Sequence, residues 1–300
     1  MSVAPPSPIT SHPAGRPPAG ARFTIVIPTW NNLAFVRLCV ASIRRHSAFP
    51  HQVVLHVNDG SDGTLAWARA EGLDHTHSAE NLGICWTVNA AARLAATDHL
   101  LYMNDDMVAL PGWDAALWRA AEEIGHPRYS LSATAILPDR AHRWAIGPAD
   151  FGDHPDRFRE AELVAAAAAG LTRPDWSGAS YPPNLVHRSL WEEVGGYSVE
   201  FSPGLYSDPD LSMKLWRAGV RIFRGVGASR VYHFYQRTTK RLPMNDGRRL
   251  FSRKWGVPSS FFYRNVLHMG EPYRGPLGEL EQAPGHAWAR VRAWWQGVGS

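Results

Sequence analysis

Between Phe23 and Met103 the chain repeats one pattern: a short apolar run, a polar cluster, then a segment with apolar residues at helical spacing. The runs are FTIVI at 23–27, stopped by Pro28, QVVLHV at 52–57 and HLLYM at 99–103. Near-continuous apolar runs of this length suit strands buried on both faces, and a parallel sheet needs helical crossovers between such strands. Asn31 to His46, with Leu33, Val36, Val40 and Ile43 on one face, Thr64 to Glu71 and Gly83 to Ala96 supply them. The spacing predicts a βαβαβ unit over the first hundred residues and an α/β fold. In open sheets of this kind ligands lie outside the carboxyl ends of the strands, where loops and helix N-termini converge. Three polar clusters fall at those ends: Pro28-Thr29-Trp30-Asn31, Asn58-Asp59-Gly60-Ser61 and Asn104-Asp105-Asp106.

The rest of the chain is less regular. A helix is expected near 114–124, extended segments near 130–147, and an alanine-rich stretch covers 161–170. Asp208-Pro209-Asp210 reads as a helix start, with Asp208 as cap and Pro at the first helical position, and Gly219 stands where that helix should end. Residues 1–21 are rich in Pro, Ala, Ser and Gly without an apolar core, so they read as a disordered leader and not as a signal peptide. From Gln236 to Lys254 seven basic residues, Arg237, Lys240, Arg241, Arg248, Arg249, Arg253 and Lys254, face one acid, Asp246. Residues 284–296 mix Trp288, Val291, Trp294 and Trp295 with Arg290 and Arg292. This segment suits either a tail packed on the domain or a membrane interface.

Composition excludes several classes. With 45% hydrophobic and 19% charged residues the chain is neither disordered nor coiled-coil, and no apolar stretch is long enough to span a bilayer. The formal charge of +4 permits anionic ligands without demanding nucleic acid, for which there is no motif. Cys39 and Cys85 cannot form a disulfide framework, read best as buried small hydrophobes, and leave the cytoplasm as the default location. Among thirteen tryptophans, Trp176 and Trp191 are candidates for sugar-stacking platforms, although most belong in the core.

Two adjacent carboxylates at a strand end, Asp105 and Asp106, repel each other unless a divalent cation or hydrogen bonds compensate; an Asn/Asp-rich turn is the plainer reading. Seven motifs in order decide more than any one. FTIVIPTWNN (23–32), VNDGSDG (57–63), ENLGICWTVNAA (80–91), LYMNDDMVALPGW (101–113), VGGYSVEFSPG (194–204), SDPDLSMKLWRAG (207–219) and VYHF (231–234) together resemble a family 2 glycosyltransferase of the GT-A fold. FSRKWG at 251–256 is similar to a short basic element after the catalytic domain of many bacterial members.

The resemblance implies a GT-A domain over 22–234, divided into a nucleotide-binding half (22–106) and an acceptor-side half (107–234), with a basic, Trp-containing extension over 235–300. It implies an inverting, metal-dependent hexosyl- or deoxyhexosyltransferase of bacterial surface polysaccharide or glycoconjugate synthesis. The donor would be a UDP- or dTDP-sugar and the acceptor a saccharide, lipid-linked or other hydroxyl, met in the cytoplasm or at the inner face of the membrane. Pro28, Thr29, Asn31, Asp59, Asn81, Gly83, Asn89 and Asp105 would bind the nucleotide, Asp59 by accepting from the base N3–H. Asp106 and His233 would hold Mn²⁺ or Mg²⁺. Asp208 would be the catalytic base, with Asp210 the second candidate carboxylate. Ser207 departs from the Glu usual before that base. A non-catalytic nucleotide-sugar or glycan-binding protein on the same scaffold is the alternative.

Overall fold

The computed structural model describes residues 8–15, 17–235 and 245–298. In chain order its elements are β1 (Thr10–His12), β2 (Thr24–Trp30), α1 (Leu33–His46), β3 (Gln52–Asn58), α2 (Thr64–Ala70), β4 (Asp74–Ser78), α3 (Ile84–Ala92), β5 (His99–Tyr102), β6 (Met107–Ala109), α4 (Trp113–Ile124), β7 (Tyr129–Ile136), α5 (Glu160–Ala168), β8 (Trp176–Ser177), β9 (Asn184–His187), α6 (Arg188–Val194), α7 (Ser207–Arg217), β10 (Ile222–His233), α8 (Gly247–Trp255), α9 (Ser259–Phe261) and α10 (His286–Val298). The sheet order is β1-β4-β3-β2-β5-β9-β7-β10-β6, with β8 paired to β10 outside this path. Strands β4, β3, β2 and β5 run parallel, as do β7 and β10.

Burial on both faces explains the unbroken apolar runs. On β2, Ile25 and Ile27 pack with Val36 and Val40 of α1, whereas Val26 between them packs with Val88 of α3 on the other side. Cys39 and Cys85 are buried on α1 and α3, one on each face of the sheet.

Residues 8–15 depart from the expected disordered leader. Thr10–His12 forms an antiparallel strand on β4, His12 stacks on His75 at 4.8 Å, and the Ala14 N–H donates to Asp74 Oδ1 at 2.6 Å. The exposed edge of β4 offers a row of unpaired backbone groups, and β1 satisfies them. Strand β4 itself, DHTHS, carries no apolar pattern and was not foreseen. Its polar side chains satisfy one another instead: His56 on β3 reaches Thr76 Oγ1 (2.7 Å) and Ser78 Oγ (3.1 Å) through its two ring nitrogens. Burial pushes the His56 pKa down to about 3, so the ring is neutral and can share these bonds without a buried charge.

Trp176 and Trp191 are core residues and not sugar platforms. The Trp176 indole lies flat on Gly225 of β10, where an added Cβ would come within 1.9 Å of the ring, and its Nε1–H donates to Thr134 Oγ1 at 2.9 Å. The 237–254 basic run divides: Arg237, Lys240 and Arg241 lie outside the described residues, whereas Arg248, Arg249, Arg253 and Lys254 lie on α8.

Candidate functional site

A cleft of about 770 Å³ opens at the carboxyl ends of β2, β3 and β5. It begins at Pro28. The pairing of β5 with β2 ends at Val26–Tyr102, and the next residues of β2 include a proline without an N–H, so the two strands part there. Thr29 follows on the cleft wall, and its carbonyl accepts from Asn58 Nδ2 at 3.2 Å. Asn58 Oδ1 accepts from the Leu82 N–H at 3.1 Å, so one side chain ties β2 to the loop that carries Asn81 and Gly83. Asn81 Oδ1 takes the Gly83 N–H at 2.9 Å. Gly83 has φ of 78° and stands so close to the loop after α6 that a Cβ would meet Pro203 Cα at 2.4 Å; only glycine lets α3 start here.

Asn31 and Asp59 lie beside the cleft and not in its lining. Both turn their strands with positive φ, and Asn31 Nδ2 donates to Asp59 Oδ2 at 2.7 Å. That bond, then the Ser61 hydroxyl, holds the Asp59 carboxyl below the usual carboxylate range, so it stays an acceptor. Asn89 does not reach the cleft at all. Its amide grips the Tyr197 backbone at both ends, accepting from the N–H at 2.8 Å and donating to the carbonyl at 2.7 Å.

Asp105 and Asp106 follow β5 on the cleft floor. Asp105 Oδ2 accepts from Asn32 Nδ2 at 3.1 Å. Burial, and next the charge on Asp106, push its pKa up to about 7. Asp106 Oδ1 meets His233 Nε2 at 3.1 Å. Sheet register brings these distant residues together, because His233 of β10 pairs with Met107 of β6 and the Phe234 N–H donates to the Asp106 carbonyl at 3.1 Å. No cluster of three metal-ligating side chains occurs among the described residues.

Asp208 faces the same cleft from the first turn of α7. It is not a helix cap. The helix starts one residue earlier, with Tyr206 in left-handed conformation at the cap, and Asp208 Oδ1 instead accepts from the Tyr197 hydroxyl at 2.9 Å. The carboxyl touches the cleft on one side and is otherwise surrounded by protein, and this desolvation pushes its pKa up to about 6. Asp210 departs from its role as second candidate. It is fully buried behind α7, where Oδ1 accepts from Trp255 Nε1 (2.8 Å) and pairs with Lys254 Nζ (2.9 Å).

Sequence reasoning missed the far wall, formed by Trp144, Tyr181, Tyr235 and Tyr263. Trp144 packs on Tyr181 at 4.8 Å, and Tyr181 on Tyr263 at 5.8 Å. Trp144, Tyr181 and Tyr235 sit in irregular segments and Tyr263 in a single π-helical turn, where no periodicity or spacing marks them.

The sequence model for "Glycosyl transferase family 2" matches residues 24–162, the stretch from β2 into α5. Over that stretch the chain is similar to a family 2 glycosyltransferase domain. Similar curated proteins include the O-antigen biosynthesis protein RfbC of Myxococcus xanthus, 23% identical over 71% of this chain and 17% of that protein. A pre-mycofactocin glycosyltransferase of Mycobacterium tuberculosis is 27% identical over 71% of this chain and 43% of its own length. The chain therefore spans less than half the length of these relatives. The crystal structure of S. aureus TarS 1–349 superimposes with a TM-score of 0.52 at 13% identity, covering 92% of this chain and 70% of that one. The shared architecture is the GT-A fold. Asp208 and His233 lie beyond the matched stretch of the glycosyltransferase domain, and the fold alone brings them to its cleft.

Proposed function

We propose that the protein is an inverting, metal-dependent glycosyltransferase that moves a hexosyl or deoxyhexosyl group from a UDP- or dTDP-sugar to a hydroxyl acceptor. The observation that carries this reading is the placement of Asp208, a carboxylate of raised pKa held by Tyr197, in one cleft with Asp105, Asp106 and His233. A general base of pKa about 6 is deprotonated at neutral pH yet takes a proton more readily than an ordinary carboxylate.

In the reaction Asp208 removes the proton from the acceptor hydroxyl as that oxygen attacks C1 of the sugar. The bond from C1 to the diphosphate oxygen breaks, the electron pair leaves with the nucleoside diphosphate, and the configuration at C1 inverts. The aromatic wall of Trp144 and Tyr181 offers apolar ring faces to the C–H surface of a saccharide. Asp59, kept ionised by Asn31, suits the N3–H of uracil or thymine beside the cleft.

Asp106 and His233 fit part of a metal shell. An imidazole nitrogen and a carboxylate oxygen converge at 3.1 Å, and the adjacent Asp105 is a second carboxylate beside them. Two protein ligands leave the remaining positions to diphosphate oxygens, so Mn²⁺ or Mg²⁺ would bind with the donor and neutralise charge on the departing group. The relatives' names, O-antigen biosynthesis and glycosyltransferase, support a place in surface glycan or glycoconjugate assembly. Acceptors would be saccharides or lipid-linked hydroxyls. The non-catalytic alternative gains nothing from Ser207, which is buried and donates its hydroxyl to the Gly204 carbonyl at 2.6 Å.

The test is Asp208→Asn, which is expected to lower transfer by a factor on the order of 10² to 10⁴ while UDP or dTDP binding stays intact. Comparable turnover by this variant would sink the assignment. The donor is read by thermal shift with UDP, dTDP, GDP, CDP and ADP, each with Mn²⁺ and with chelator. Stabilisation confined to the pyrimidine diones and dependent on metal is the expected result.

A further inference from the structure

The outer face of α10 runs against what a water-facing helix should carry. Its inner face is small and packed: Ala289 and Ala293 are buried, and Gln296 Oε1 accepts from Ser252 Oγ of α8 at 2.8 Å. Its outer face presents Trp288 (79% exposed), Val291 (47%), Trp294 (58%) and Trp295 (66%). These are four of the seven large apolar side chains that stand exposed among the described residues. At 3.6 residues per turn they form one arc of about 120°, opposite the packed alanines, with Arg290 at one border and Arg292 at the other.

The charge around this arc has one sign. Neither α10 nor α8, against which it packs, contains an acidic residue. Arg248, Arg253, Arg290 and Arg292 are exposed, and none is ion-paired among the described residues. The acids just before α10, Glu279 and Glu281, are engaged by Arg221 at 2.9 Å and Arg217 at 3.8 Å. An apolar arc rich in Trp and bordered by arginines matches the chemistry of an anionic bilayer surface, where indoles settle at the headgroup level and cations meet lipid phosphates. No helix among the described residues is long and apolar enough to cross a membrane.

We infer that α10 docks the protein on an anionic lipid surface, its Trp288–Val291–Trp294–Trp295 face entering the interface and Arg290 and Arg292 contacting headgroup phosphates. The docking does not rest on the transferase reading. The same C-terminal segment supplies Ser259, Ser260 and Tyr263 to the cleft.

The full chain is tested by co-sedimentation with phosphatidylcholine vesicles, with and without phosphatidylglycerol, and by quenching of tryptophan fluorescence with brominated lipid. Partition is expected only with phosphatidylglycerol and to fall with salt. Arg290→Gln with Arg292→Gln should weaken it by about thirtyfold, from about fivefold per arginine. Trp288→Ser with Trp294→Ser and Trp295→Ser should abolish both partition and quenching while thermal unfolding is little changed, since all three are exposed and Trp294 and Trp295 touch chiefly each other. Partition that survives the triple substitution overturns the proposal. So does absence of partition in the unaltered protein, including the case in which light scattering shows the face joining two copies or a glycan array shows it binding saccharide.

Discussion

At the scale of single residues the distinctive feature is a carboxyl group held at a cost. Asp208 is ionised at neutral pH although burial raises its pKa to about 6. A raised folded-state pKa means that the fold binds this proton more tightly than the unfolded chain does. The contribution therefore favours folding below about pH 4 and is lost as pH rises to about 6, after which the charge costs up to about 3 kcal/mol. Asp208→Asn removes the charge but keeps an oxygen for the Tyr197 hydroxyl. Its melting temperature should exceed that of the unaltered protein by several degrees at pH 8, and the gain should vanish near pH 4 in the same thermal scans. Activity runs the other way, because kcat/KM of the unaltered enzyme should climb through about pH 6 and then level. A limb that moves with Mn²⁺ concentration would belong to Asp105 instead. Asp106→Ala should likewise erase the difference in UDP or dTDP affinity between Mn²⁺ and chelator in a calorimetric titration; an unchanged difference removes the metal from these residues. That Asp208, Asp106 and His233 meet in one cleft was legible because motif order carried them. Asn89 was misread, since its conversation with the Tyr197 backbone depends on a fold-level approach that no local pattern records.

At the scale of elements, legibility followed the source of each element's stability. Strands β2, β3 and β5 and helix α1 declare themselves because apolar burial fixes their period. Strand β4 does not, since hydrogen bonds among His56, Thr76 and Ser78 replace apolar packing. Strand β10 was not read as a strand, because Gly225 and Gly227 and a register shift between Val226 and Arg230 break the pattern of its middle, and only its VYHF end stood out, as a motif. The join of α8 to α7 is the element contact with the sharpest consequence. Lys254 Nζ is the cation on fully buried Asp210 and also reaches Glu200 Oε1 at 2.8 Å. Lys254→Met would leave the Asp210 charge with only the Trp255 N–H, at a cost of about 3 kcal/mol, the low end for a broken buried pair because Lys254 is itself 26% exposed. Denaturant titration should show that loss, and adding Asp210→Asn should recover much of it. If the double variant is no better than the single one, the pair is not what joins the helices.

For the whole molecule, the boundary expected at residue 235 divides the sequence by composition but not the core. Phe251, Val257, Phe262, Val266, Leu267 and Leu280 are buried in one cluster with Leu211, Met213 and Trp216 of α7. Each such side chain contributes about 1.5–3 kcal/mol on burial, so together the six approach the whole stability of a typical protein. The same segment places Tyr263 in the cleft, beside Tyr181 and in the same lining as Asp208. Composition hid this because the segment mixes the buried Phe251 and Phe262 with exposed arginines and the outward-facing tryptophans of α10. A chain cut after Tyr235 should consequently lose α7's cover, expose that apolar surface and fail to give a soluble, cooperatively unfolding protein, whereas the full chain should melt in one transition. Were the shortened chain to unfold cooperatively and still bind nucleotide, residues 235–300 would be an appended unit, and the catalytic domain would end where the seventh sequence motif does.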